Sequence, residues 1–328
     1  LVTNQVADFY ARQENVMYMV EASSLDSFRS ILYARQYTLA LQNQNYDTQT
    51  MLDEALNHQE YDQAMALTAL FEGDAQLTTM LFTQLLLDEN PDVAAELIAQ
   101  SNTAQNTILD EQAPIFKSEL LFSTVDGLNF IQALFNDSNG WRLANGVYER
   151  PPLSTEQILH PTLYLLYEAP HDVSVMPLDD FWAEHSPNEG WTLMRDQTLG
   201  EFYLREHLRL FIEQDDADDT AAGWGGDRFL LYYNEADNET VMVWKTSWDT
   251  SEDAVAFDLR YGSFLGQWLG VSGEIISDDI SCWAAPGHNA CKATLENNEV
   301  LVVFAPSAEL ARAIMEYELQ ENPIRILG

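Results

Sequence analysis

Lysine is almost missing from this chain: among 328 residues only Lys117, Lys245 and Lys292 carry an ammonium, and 15 basic side chains of both kinds stand against 53 acidic ones. A formal net charge of −38 repels nucleic acid and anionic membranes, which argues against both as partners. Such a surface suits a secreted protein, or one bathed in an acidic or salty medium that protonates or screens its carboxylates. No apolar run reaches the ~18 residues of a membrane helix, so no membrane-spanning segment is expected, and no basic stretch followed by an apolar one opens the chain. The first residue is Leu1, as expected of a trimmed or mature form that has lost a leader. A location outside the cell or in the cell envelope is therefore the expectation. No Gly-x-Ser-x-Gly elbow is present and neither cysteine has a catalytic setting, so covalent hydrolase chemistry has no visible support. Carboxylates are so abundant that counting them singles out no glycosidase-like pair.

Cys282 and Cys291 flank a turn signal, Pro286-Gly287, that brings them within disulfide reach. A disulfide is the first expectation. A zinc site recruiting His288 would have three ligands and no evident fourth, and two free thiols complete the alternatives.

A 46% hydrophobic content supports a large core. Two short β-prone runs, 6–10 and 16–20, read as a hairpin. Ser23 and Ser24 are N-cap candidates for a helix to about Asn45, and Leu25, Phe28, Leu32 and Leu39 supply its spacing. Helical patterns follow over 61–87, stopped by Asn90-Pro91, then over 92–100 and 115–136, with Asn139-Gly140 as a stop. Pro151-Pro152 leads into a capping box in which Ser154 caps and Gln157 reaches back, and the short helix ends at His160-Pro161. Beyond about Tyr167 strands and helices alternate: helix 198–212, an acidic loop 215–219, strands 229–234 and 241–246, helix 253–265, strand 300–305 and helix 307–319. The fold class expected is α+β, with a largely helical region over 1–167 and an α+β region over 168–328.

The most informative stretch is Arg35-Gln36-Tyr37-Thr38-Leu39, continued by Ala40-Leu41-Gln42-Asn43-Gln44-Asn45-Tyr46, with Leu70-Phe71-Glu72-Gly73-Asp74-Ala75 on a later helix. It resembles a family of extracellular metallopeptidase-like proteins of bacteria and archaea, related to the gluzincins. Their active-site helix reads His-Glu-x-x-His-Ala-Leu-Gln-Asp-Gln-His-Phe, and a Glu-Gly-Asp-Ala segment supplies a third zinc ligand. The similarity extends through Gly140-Trp141, Tyr148, Pro151-Pro152, Ser154 to Gln157, His160-Pro161, Leu199-Gly200-Glu201, Gly223 to Arg228 and Trp248-Asp249-Thr250. It implies a gluzincin-like fold. Phe122 to Val125 lack the tyrosines that the family pattern has there.

Zinc catalysis needs two imidazoles at i and i+4 on one helical face and a glutamate after the first to activate water. Here Arg35 stands at the first histidine position, Gln36 at the glutamate and Leu39 at the second histidine, while Glu72 survives at the third-ligand position. A guanidinium repels a cation, an amide is no general base and leucine has no lone pair. Neither a metal nor a cofactor is expected. A carboxylate left buried by loss of zinc requires a partner; Arg35 is the natural one, the alternative being that both side chains reach water.

His160 lies near the old cleft by resemblance, where it would steady an oxyanion or shuttle protons, against a plain helix-end role. Glu156 reads as part of the capping segment. The Gly223–Arg228 stretch lacks the ending of a phosphate loop and reads as a tight turn, with Trp224 packed and Asp227 and Arg228 fixing it. The 215–219 run lacks the alternation of a calcium loop. The expectation is a pseudopeptidase with a peptide or protein ligand in a residual cleft. Two alternatives stand beside it: an active hydrolase working through Glu72 and His160, and a purely structural envelope protein.

Overall fold

In the computed structural model, which describes residues 8–19, 26–101, 113–137, 140–185, 190–277 and 279–321, the chain is α+β. A helical part opened by a hairpin is followed by a part built on a seven-stranded antiparallel sheet. Two compact units divide it, Leu1–His58 with Gln63–Glu168, and Gln59–Asp62 with Ala169–Gly328.

In the helical unit, strands β1 (Phe9–Ala11) and β2 (Val16–Tyr18) form the expected hairpin with shorter arms, and Phe9 stacks across it on Tyr18. Val6, Ala7 and Val20 lie outside the described residues, as do Ser23 and Ser24. Helix α1 (Ser27–Tyr46) is capped by Asp26, whose Oδ1 accepts from Arg29 N at 2.9 Å. It ends where Asp47 turns left-handed, and the Asp47 side chain then caps α2 (Thr48–Asn57). One aspartate thus stops one helix and starts a second that periodicity did not suggest. Helix α3 (Tyr61–Glu89) runs to the Asn90-Pro91 stop, and α4 (Asp92–Ser101) follows.

The single helix expected over 115–136 is instead α5 (Pro114–Leu121), one π-helical turn (Phe122–Asp126) and α6 (Gly127–Asp137). The reason lies across the interface. A Cβ on Gly127 would sit 2.1 Å from the carbonyl oxygen of Ala69, and one on Gly73 would sit 2.2 Å from Gly127 C. The wide turn rephases the helix immediately before this glycine-to-glycine crossing with α3. Helices α7 (Trp141–Gly146), α8 (Thr155–Leu159) and α9 (Pro161–Leu166) complete the unit. Ser154 Oγ accepts from Gln157 N at 3.3 Å as expected, but Gln157 Oε1 accepts from Leu153 N, one residue earlier than in a standard capping box.

The sheet unit orders its strands β3-β4-β5-β9-β8-β7-β6. They are β3 (Trp191–Gln197), β4 (Trp224–Asn234), β5 (Glu239–Trp248), β6 (Glu274–Ile275), β7 (Ile280–Ala285), β8 (His288–Thr294) and β9 (Glu299–Ala305). Helices α10 (Asp179–His185) and α14 (Ala308–Glu321) cover one face through Phe181, Trp182, Ile314 and Met315. Helices α11 (Gly200–Leu208), α12 (Gln214–Ala221) and α13 (Ser251–Leu269) cover the other through Leu204, Ala217, Phe257 and Phe264. Burial on both faces explains the nearly unbroken apolar run of β9, in which Val300 and Val302 face one layer and Leu301 and Val303 the other.

Two expectations are corrected here. The acidic run 215–219 is helix α12, not a loop: its aspartates point outward while Ala217, Thr220 and Ala221 are buried. Gly223 to Arg228 is no tight turn, because β4 starts at Trp224 and reaches its regular register with β5 after an irregularity at Trp224/Gly226. The cysteines pair as the turn signal implied. Cys282 and Cys291 face each other in register on β7 and β8 and are bonded, which removes the zinc alternative with His288.

Candidate functional site

Helices α1 and α3 are clamped by a buried polar network. Gln42 Nε2 donates to Phe71 O at 3.1 Å and to Asp74 Oδ2 at 2.9 Å, and Tyr148 OH donates to the same carboxylate oxygen at 2.6 Å. Tyr46 stacks on Tyr148 at 4.1 Å. Burial pushes the Asp74 carboxyl up while these two donors pull it down, and burial followed by the Asp74 charge holds the Tyr148 phenol well above its ordinary value. Gln42 and Asp74 belong to the two stretches that carry the family resemblance. Their bond fixes the helical register in which position 35 faces position 72.

There Arg35 Nη2 donates to Glu72 Oε2, with side chains 26% and 20% exposed. The pair is therefore partly wet, and its charges are partly screened. Gln36 is buried, and its Oε1 accepts from the backbone N–H of Tyr10 at 3.0 Å, tying the hairpin to α1. Leu39 is a core residue. A third participant had no sequence signal: Arg12, in the hairpin turn, lies over the Phe71 ring at 5.0 Å. Its buried Nε has no hydrogen-bond partner. Burial lowers the Arg12 pKa, and the charge of Glu72 works against that. One carboxylate thus faces two guanidinium groups. Among the described residues, no group of three or more His, Cys, Asp or Glu is arranged to hold a metal ion.

His160 sits at the junction of α8 and α9, where its backbone N–H donates to Glu156 O at 2.7 Å and its carbonyl accepts from Leu163 N at 2.9 Å. Glu156 is buried inside α8. The structure brings Arg35, Glu72 and Arg12 together and leaves His160 in a helix-joining position.

The sheet unit carries a second polar group that the sequence did not flag. His171 Nδ1 contacts Ser247 Oγ at 2.9 Å, Lys245 Nζ approaches Glu299 Oε2 at 4.0 Å, and Glu318 on α14 is buried. Burial pushes the Glu318 carboxyl up to about 7; the Met176 N–H and the Lys245 charge oppose this, and Oε1 has no partner. Between its ordinary value and about 7 the folded state holds a proton that the unfolded chain has released, so Glu318 lowers stability as pH rises through this window. Glu318→Gln is expected to be more stable than the parent by ~2–3 kcal/mol at about pH 8 and equal to it at about pH 4, measured by urea unfolding at both. An equal difference at both pH values would contradict this.

The family model that matches the chain, described as a domain of unknown function (DUF8575), covers residues 163–315. The chain is similar to that family from within α9, at the end of the helical unit, through the sheet unit into α14. The matched span excludes Arg35, Gln36, Leu39, Glu72 and His160. No curated protein and no solved structure matches the chain.

Proposed function

We propose that this protein is a catalytically silent relative of zinc metallopeptidases that acts by binding a peptide or protein at the cell surface or outside the cell. The observation that carries the reading is the Arg35–Glu72 ion pair, which occupies the place where the resemblance would put a metal between α1 and α3. Every position needed for zinc chemistry has another engagement: Arg35 neutralises the residual carboxylate, the Gln36 amide oxygen holds the hairpin, and Leu39 fills the core. The Gln42–Asp74–Tyr148 clamp keeps the helix pair in register without a metal. The disulfide supports an oxidising compartment, and no described helix is long and apolar enough to cross a membrane.

The test restores the ligands. Purified parent protein is expected to contain no stoichiometric zinc and to show no melting shift when zinc is added. The combined Arg35→His, Gln36→Glu, Leu39→His variant is expected to bind about one zinc per chain, with its stability rising as RT ln(1 + [Zn]/Kd). Stoichiometric zinc in the parent would overturn the reading, and so would a folded variant that takes up none.

A further inference from the structure

Helix α13 buries Ala254, Phe257, Tyr261, Phe264 and Leu265 against the sheet, yet its opposite face sets large apolar side chains among the exposed polar residues Glu252, Ser263 and Gln267. Val255 is 53% and Leu259 68% exposed, and farther along that face Gly262 and Gly266 carry no side chain. A surface helix normally turns charged residues outward there. Two open hollows flank this stripe. One, of about 740 Å³, is walled by Leu210 and Phe211; the other, of about 810 Å³, has Trp283 at its floor, and both share Ser263 and Gln267. Leu210 is itself 65% exposed.

The electrostatic frame is one-sided. Helix α12 lines up Asp215, Asp216, Asp218 and Asp219. The two arginines in the first hollow are already engaged, Arg209 by Asp218 at 2.8 Å and Arg260 by Asp216 at 3.0 Å, and the side chain of Asp216 remains 58% exposed. A second copy of this chain would bring another net charge of −38 against the face. The complement that fits is cationic.

We propose that the outer face of α13, with its two flanking hollows, is a docking surface for a basic amphipathic helix of a partner protein. The partner's apolar side chains would enter the hollows beside Leu259 and Leu210, and its lysines or arginines would meet the α12 aspartates. The 19 residues of α13 span about 28 Å, enough to seat about five helical turns of a partner. This surface lies wholly in the sheet unit and does not depend on the Arg35–Glu72 reading.

The test uses the full chain and a fluorescent lysine/leucine peptide of about 18 residues with one apolar face, compared with a scrambled peptide of the same composition. Anisotropy is expected to show binding at least about tenfold tighter for the amphipathic peptide, weakening severalfold as salt rises from about 0.15 M to about 0.5 M. Leu259→Glu decides between docking and bulk charge, because general attraction predicts tighter binding to a more negative protein whereas docking predicts a loss of about tenfold or more. Leu166→Glu, at a site 75% exposed in the helical unit, adds the same charge and is expected to leave binding unchanged. Undetectable binding, equal binding of the scrambled peptide, or a Leu259→Glu variant that binds as well as the parent would overturn the proposal. A dimer of the parent that Leu259→Glu dissociates would overturn it too, by assigning the face to a second copy.

Discussion

Gly127→Ala is expected to destabilise the helical unit by ~3–5 kcal/mol, more than almost any other single methyl group added to this protein. An alanine Cβ would lie 2.1 Å from Ala69 O and 2.9 Å from Ala69 C, both main-chain atoms of α3 that no rotamer change can move aside. Relief requires α3 and α6 to separate by about an ångström along a tightly packed crossing, which opens voids on either side. Gly73→Ala meets Gly127 C and O at 2.2 Å and is expected to behave alike. Because Gly73 adjoins Glu72, either substitution also displaces the carboxylate from Arg35. Gly146→Ala is the control, since its Cβ meets nothing within 4 Å in a helix, and it is expected to be neutral or to stabilise by up to ~1 kcal/mol. Urea denaturation of the three variants measures this. A Gly127→Ala cost below ~1 kcal/mol would mean that the crossing is looser than described.

Asp227 carries the second large effect. Its carboxylate is buried at the start of β4 and accepts four N–H groups: Leu199 N and Gly200 N at 2.9 Å, the Trp224 indole at 2.9 Å and the Trp244 indole at 3.0 Å. Burial pushes this carboxyl upward in pKa while the four donors pull it down. Asp227→Ala leaves all four donors buried without acceptors, at ~1–3 kcal/mol each before relaxation, so a loss of at least ~4 kcal/mol is expected. Asp227→Asn keeps one acceptor oxygen and turns an amide N–H₂ toward two donors, for an intermediate cost. Because two of the donors are indoles, tryptophan emission reports the change directly, together with the denaturation midpoint. Unchanged emission and a cost under ~1 kcal/mol for the alanine variant would refute this account.

Much of the helical unit was legible because its signals are local. Periodicity located α1 and α3, Asn90-Pro91 stopped α3, and Ser154 marked α8. The π-helical turn was not legible, because its cause is Gly127 meeting Ala69, a residue 58 positions earlier by the sequence numbers. Helix α12 was missed because a run of aspartates reads as loop by composition, whereas three small buried residues, Ala217, Thr220 and Ala221, anchor it to the sheet layer. Strands β3, β7 and β8 escaped notice for the opposite reason. Each has modest β character, and ladder hydrogen bonds to paired strands hold it in place.

The candidate site divides along the same line. From residue types alone it followed that positions 35, 36 and 39 offer no zinc ligand or general base, since lone pairs and proton affinity belong to the side chain wherever it sits. The pairing of Cys282 with Cys291, nine positions apart in sequence, was also within reach through the Pro286-Gly287 turn signal between them. Only the tertiary structure decided that Arg35 meets Glu72 across two helices, that Gln36 is spent on the backbone of Tyr10, and that Arg12 adds a second guanidinium. It alone gathered four donors around Asp227 and left the outer face of α13 uncovered. Side-chain chemistry is a property of one residue, but an ion pair, a buried acceptor or an open face depends on which distant residues the packed chain brings to within a few ångströms.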